Sequence, residues 1–276
     1  MDIRYLQTLL HVIDGGSLAE AARRQNLTAA AVGQRLKALE YELGQSLVQR
    51  AGATVSPTSA CLRMMPRVQS IIAETALLTS DLAEDGLAGP YRLGVISTAL
   101  ADHVTSLVRH FEAVAPNIEL KITPGSSTRL FEQVTHSELD AALIVEPSFQ
   151  LPKSMTVTAV EKQPFAWIIP SETTSEELPL ILYDRSSWGG ELAWRWIDKN
   201  VRSPNILCEM DAPETVAGLV SSGAGRAILP IWKGLSKMAA IKTQVISEMP
   251  KRSIAFVHAG SPIDRACVKF FKEHLS

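Results

Sequence analysis

The chain opens on apolar positions of helical period. Leu6, Leu9, Leu10 and Ile13 share one face of a first helix, which Gly15-Gly16 stops. Ser17-Leu18-Ala19-Glu20 is a capping-box pattern, with Ser17 accepting from the third amide and Glu20 reaching back. It opens a short alanine-rich helix from Leu18 to about Gln25. Asn26-Leu27 supplies a tight turn, and Thr28 caps a third helix. There Val32, Leu36, Leu39 and Leu43 fall within a narrow arc, opposite Ala30, Gln34, Lys37 and Tyr41. Gly44 ends that helix, Gln45 to Arg50 is a further short stretch, and residues 51–57 suit a small hairpin or wing. Residues 58–87 carry a long helical pattern. Met64, Val68, Ile71, Thr75, Leu78 and Leu82 alternate steps of four and three, a seam suited to a partner helix. Pro66 should kink that helix or mark a fresh start, and residues 85–90 look like a hinge.

From Tyr91 the pattern changes to short apolar runs alternating with helical stretches. Strands are expected at Arg92–Ile96, Ile118–Ile122, Ala141–Val145, Phe165–Ile169, Leu180–Tyr183, Ile206–Glu209, Arg226–Pro230 and Ser253–His258. Helices are expected after the first of these, with Leu100, Val104, Leu107, Val108 and Phe111 on one face, and at Ser127–His136, Leu192–Asn200, Pro213–Ser222 (capped by Asp211) and Pro262–Leu275. This alternation argues for parallel-type α/β layers, and its length suffices for two small lobes with a cleft between them.

Composition narrows the function classes. Of 276 residues, 46% are hydrophobic and 20% charged, which excludes disordered and collagen-like chains. No apolar run approaches the roughly 20 residues needed to span a bilayer. Met1-Asp2-Ile3-Arg4 starts no basic-then-apolar leader, so a cytoplasmic location and no membrane partner are expected. Cys61, Cys208 and Cys267 are far apart and form no disulfide framework or Cys-x-x-Cys motif. Net charge is −2, and residues 1–60 hold six basic against five acidic residues, a weak balance for a nucleic-acid binder. Enzyme motifs are missing. Gly223-Ala224-Gly225 lacks the third glycine of a dinucleotide fingerprint, and Gly15-Gly16-Ser17-Leu18-Ala19 lies between helices rather than after a strand. His11, His103, His110, His136, His258 and His274 have no ligand-like spacing. No catalytic residue, metal or cofactor is therefore expected.

Two short helices joined by a tight turn, the second with a polar outer face, have the grammar of a helix-turn-helix, though a small helical bundle shares it. More specific residues decide between them. The Gly-Ser opening of the second helix, Ala21-Ala22, Leu27-Thr28, and Leu39-Glu40-x-x-Leu43-Gly44-x-x-Leu47 ending at Arg50 resemble the N-terminal domain of LysR-type transcriptional regulators. Ser137-Glu138-Leu139-Asp140 and Val220–Pro230 are similar, more weakly, to later segments of that family. The resemblance implies a fold in three parts. Residues 1–58 would be an all-α winged helix-turn-helix domain and 59–89 a dimerising linker helix. Residues 90–276 would be an α/β effector domain of two lobes of the periplasmic-binding-protein type. It further implies a homotetramer or dimer on double-stranded promoter DNA, contact with RNA polymerase, and a small-molecule effector. A two-lobed small-molecule binder without a DNA role is the alternative.

The recognition helix departs from the family pattern. Thr28, Ala29, Ala30 and Gly33 leave few polar groups on its reading face, so Gln34 is the candidate for pairing with adenine. Phosphate contacts would fall to Arg35, Lys37 and Arg50, with Arg23, Arg24 and Arg63 as further candidates. For the effector, Ser97 and Thr98 follow one strand end and Ser126 and Ser127 another. Each pair either caps a helix or receives a ligand carboxylate. Arg185, Ser187 and Trp188 follow Leu180–Tyr183 and could close the cleft. Glu146, if it faces the cleft, favours a ligand that also carries a cation, such as an amino acid. An organic anion or amino acid is the expected effector.

Overall fold

The computed structural model describes residues 1–51, 54–82, 86–172, 178–238 and 240–274, with all their side chains except those at 50, 51, 76, 77, 79–81 and 274. By contacts the chain divides into two compact units: Met1–Leu78 with His136–Glu138, and Thr79–Thr135 with Leu139–Ser276.

The first unit is built from α1 (Ile3–Gly15), α2 (Leu18–Arg24), α3 (Ala29–Leu43), the antiparallel pair β1 (Val48–Ala51) and β2 (Thr54–Pro57), and α4 (Ser59–Leu82). The expected all-α domain thus carries a small sheet, and the wing begins three residues before the predicted hairpin. Left-handed backbone at Gly16 (φ 62°) and Gly44 (φ 67°) ends α1 and α3, a conformation that suits glycine. Leu6, Leu9, Val12, Val32, Leu36 and Leu39 are buried together, with Leu10 and Ile13 half-buried against them, so Val12 joins the predicted face of α1. The caps form in part as expected. Ser17 Oγ accepts from the Glu20 amide at 3.2 Å, but the Glu20 carboxylate turns to Arg23 and Arg24 instead of reaching back.

Helix α4 is continuous through Pro66, with no fresh start there. Its predicted seam divides. Val68 is buried in the core of the first unit and Met64 packs against it, because Cys61, Met65 and Ile72 turn the same side of the helix inward. Ile71, Leu78 and Leu82 stay 43%, 57% and 88% exposed. Gly52, Ala53 and Asp85, in the predicted wing and hinge, lie outside the described residues.

The second unit holds two lobes. The first has a five-stranded sheet in the order β4-β3-β5-β12-β6. Its strands are β3 (Gly89–Val95), β4 (Ile118–Pro124), β5 (Ala141–Val145), β6 (Thr156–Gln163) and β12 (Arg252–His258). β3 runs parallel to β4 and β5, whereas β12 is antiparallel to both neighbours, so the sheet is mixed rather than purely parallel. Between β3 and β4 the chain forms α5 (Ser97–Ala99), a π-turn (Leu100–Val104) and α6 (Thr105–Val114). Leu107 and Phe111 are buried with Leu100 and Val104 packed against the same core, while Val108 is 42% exposed and leaves the predicted face. α7 (Ser127–Thr135) and α10 (Pro262–His274) complete this lobe.

The second lobe contains β7 (Phe165–Pro170), β8 (Leu180–Tyr183), α8 (Trp188–Asn200), β9 (Ile206–Met210), α9 (Pro213–Ser221), β10 (Ala227–Pro230) and β11 (Ile241–Val245). β8 and β9 pair in parallel, β7 lies antiparallel between β10 and β11, and a parallel bridge from Leu180 to Arg226 joins the two sheets. Gln163 ends β6 and Arg252 begins β12, so both stand where the chain crosses between lobes.

Candidate functional site

Two surfaces concern function. On the first unit, Thr28 Oγ1 accepts from the Ala31 amide at 3.1 Å and starts α3. Thr28, Ala29, Ala30, Gln34 and Lys37 are all exposed along one side of the helix, as predicted, and Tyr41 is 90% exposed beyond them. Gly33 is half-buried. A Cβ there would meet only Leu18 Cδ1, at 3.8 Å, so the core does not demand glycine. Arg35, a predicted phosphate contact, also has partners inside the unit. Its guanidinium donates to Thr8 Oγ1 and Gln25 Oε1, each at 3.4 Å, and so ties α3 to α1 and α2. One residue past Gln34 the helix has turned about 100°, toward the neighbouring helices instead of the outer face. The Arg50 side chain lies outside the described residues. Sequence reasoning missed Glu40, whose Oε1 accepts from the amides of Leu47 (2.8 Å) and Val48 (3.3 Å) and fastens the wing to α3.

In the second unit a cavity of about 710 Å³ opens between the lobes. Its lining brings together six of the eight predicted residues: Ser97, Thr98, Ser126 and Ser127 from one lobe, Ser187 and Trp188 from the other. Several of these hydroxyls already have protein partners. Ser126 Oγ accepts from the Arg129 amide (3.4 Å), Ser127 Oγ from the Val145 amide (3.1 Å), and Ser187 Oγ from the Gly190 amide (3.0 Å). The helix-capping alternative therefore accounts for Ser126, and Ser187, for which no capping role was expected, caps α8.

Two predicted residues stand elsewhere. Arg185 pairs with Glu209 at 2.9 Å and stacks 3.7 Å over the Trp194 ring, which holds it off the cavity lining. Glu146 lines a separate cavity of about 240 Å³ with Lys251, Arg195 and another side of Trp188.

Sequence reasoning did not find the buried cation behind the main cavity. Thr98 Oγ1 accepts from Arg252 Nη2 at 3.0 Å. Arg252 is fully buried and also donates to Gln163 Oε1 (3.0 Å from Nε) and toward Tyr183 Oη (3.5 Å). Burial pulls its guanidinium below the ordinary value. A solitary arginine heading a strand gives no pattern by which to expect this. Tyr183, Asp184 and Asp211 also line the cavity. Asp211 was expected to cap α9, but the cap position is Ala212 without a side-chain bond. Burial, then the charge of Asp184, raises the Asp211 carboxyl, whereas the hydroxyl and amide of Ser186 lower that of Asp184. Glu214 accepts from the Ser97 hydroxyl at 2.9 Å. Carboxylates therefore stand beside the serine and threonine donors. Among the described residues one group could hold a metal ion, Asp102, His103 and Glu161, outside the cavity lining.

A helix-turn-helix unit with a wing, joined in one chain to a two-lobed unit with a cleft, is the build of a ligand-responsive DNA-binding regulator. Comparison with known proteins agrees. Residues 3–62 match the family model "Bacterial regulatory helix-turn-helix protein, lysR family", and residues 84–276 match "LysR substrate binding domain". The HTH-type transcriptional activator IlvY of Salmonella typhimurium is 24% identical over 244 residues, covering 83% of this chain and 82% of its own. Full-length OxyR from Pseudomonas aeruginosa superposes with a TM-score of 0.75 at 20% identity, covering 100% of this chain and 96% of its own. Full-length CbnR complexed with its target DNA gives 0.69 at 17%, covering 100% of both chains. The chain belongs to the LysR family of transcriptional regulators. It is a DNA-binding regulator with an effector-binding domain, and no helix among its described residues is long and apolar enough to cross a membrane.

Proposed function

We propose that this regulator is controlled by a small zwitterionic molecule of amino-acid type, bound in the cavity between the lobes. One observation carries the reading: the cavity has a buried cation behind one wall and carboxylates on the other. Arg252, reaching the lining through Thr98 and Tyr183, favours a ligand carboxylate. Asp184 and Asp211 favour an ammonium or another donor. A plain organic anion would leave those acids facing a like charge, and a plain amine would leave Arg252 with neutral partners only. The protein acts in the cytoplasm as a dimer or tetramer on promoter DNA, where it contacts RNA polymerase. Its reading face is Thr28, Ala29, Ala30, Gly33, Gln34 and Lys37, and its chemistry needs no cofactor beyond the effector. The relatives are transcriptional regulators, in keeping with a role without catalysis.

The test is a thermal-shift screen of carboxylic acids, amines and amino acids on the wild type and on Thr98→Val. An amino acid should stabilise the wild type most. The variant should bind it about ten- to a hundred-fold more weakly, because a buried polar contact goes unmade at a cost of about 1–3 kcal/mol. A simple amine as best ligand, or equal stabilisation of both proteins, would overturn this reading.

A further inference from the structure

The π-turn Leu100–Val104 carries two adjacent side chains that converge with a third from the crossover strand β6. His103 is almost wholly buried, and its Nε2 lies 3.0 Å from Glu161 Oε2. Asp102 is half-buried, and its two oxygens accept the amides of Lys233 (2.9 Å) and Gly234 (3.1 Å) from the other lobe. One donor atom from each of the three lies within 4.8 Å of the others.

We propose that Asp102, His103 and Glu161 form a binding site for a divalent transition-metal ion such as zinc, cobalt or manganese. The donor set points to this class: one imidazole with two carboxylates suits these ions, whereas calcium and magnesium prefer oxygen alone. Two carboxylates balance the dication. The metal would take the place of the hydrogen between His103 Nε2 and Glu161 Oε2, with the neutral imidazole carrying its one N–H on Nδ1.

Geometry supports the same reading. Ligands at about 2.0–2.2 Å from a tetrahedral ion stand roughly 3.4 Å apart, near the present separation of His103 and Glu161. Asp102 needs to approach by up to roughly 1.4 Å. The amides that hold it take one lone pair on each oxygen and leave another for the ion, so they aim the carboxylate without using it up. Three protein ligands leave a fourth position for water. The exposed ammonium of Lys233, which lowers the Glu161 carboxyl, is the competing cation. A metal here would link both lobes and the crossover strand, two residues from the Gln163 that holds Arg252.

The test uses the untagged full chain, stripped with chelator and dialysed, in calorimetric titrations with Zn²⁺, Co²⁺, Mn²⁺ and Mg²⁺, and in Co²⁺ absorption spectra. About one Co²⁺ or Zn²⁺ per chain should bind, with d–d bands showing a nitrogen-oxygen site. Affinity should fall at least about tenfold in His103→Gln and in Glu161→Gln. If a variant fails to fold, the half-buried Asp102→Asn takes its place. The proposal is overturned if the folded wild type binds none of the transition ions at millimolar concentration. It is equally overturned if Mg²⁺ binds as well as Co²⁺, or if the folded variants keep wild-type affinity.

Discussion

At position 33 a glycine stands in mid-helix with room for a methyl group that would touch only Leu18. Alanine there should stabilise the unit by up to about 1 kcal/mol. If the bare backbone serves close approach to a duplex, Gly33→Ala should also weaken DNA binding. Urea melts read beside fluorescence anisotropy would show stability and affinity moving in opposite directions, and an unchanged affinity would remove the glycine from the interface. Gln34→Ala should reduce discrimination between operator and random DNA by roughly 1–3 kcal/mol, while Lys37→Ala weakens both alike and lowers the salt slope by about 0.9. Equal loss on both DNAs for Gln34→Ala would instead favour readout through DNA shape. At this scale the sequence was informative where a residue acts on its own backbone, as Ser17 and Thr28 do at their caps. It was silent where a side chain reaches another element. Arg35, Glu40 and Arg252 are held by partners 27, 7 and 154 positions away, and no local spacing encodes such pairs.

Elements with strong periodicity were legible: α1 to α4, β5 and β8 lie close to their expected bounds. Strands β6 and β11 were missed, since Thr156–Gln163 and Ile241–Val245 are rich in polar residues and half-exposed. The π-turn left no mark in the sequence because it comes without a change of composition. On α4, the exposed row Ile71, Leu78 and Leu82 begins where the buried residues of the first unit end. Such a row needs a partner, and a second copy of the helix offers a matching one. Replacing Ile71 and Leu78 with aspartate should turn the assembly into monomers without lowering the helix content of each chain. Light scattering at micromolar concentration would check this, and a wild-type monomer there would refute it.

For the molecule as a whole, the pH dependence of stability should carry the signature of His258. This residue is buried, stacked on Phe256, near Thr158 Oγ1, and 3.7 Å from Asp264, which is itself bonded to Tyr91. Burial lowers its pKa from the ordinary 6.5, outweighing the opposing pull of Asp264. Between the lowered value and 6.5 the unfolded chain holds more protons, so stability is full above 6.5 and falls as pH drops below it. The slope is at most about 1.4 kcal/mol per pH unit for one group. Melting temperatures from pH 7.5 to 5.5 should fall in the wild type and flatten in His258→Gln. A rising trend in the wild type would contradict the assignment.

The order of strands in the first lobe carries a consequence for how the protein is made. β12 sits between β5 and β6, yet it leaves the ribosome more than a hundred residues after β5. The DNA-reading unit is drawn almost wholly from the first 78 residues and can close early. The sensing unit cannot finish its central sheet until the last strand arrives. A message cut short before residue 252 would therefore yield a chain able to occupy operators but unable to answer its signal. Nonsense mutations late in the reading frame should then act on the promoter in trans, against the intact copies, rather than as simple loss.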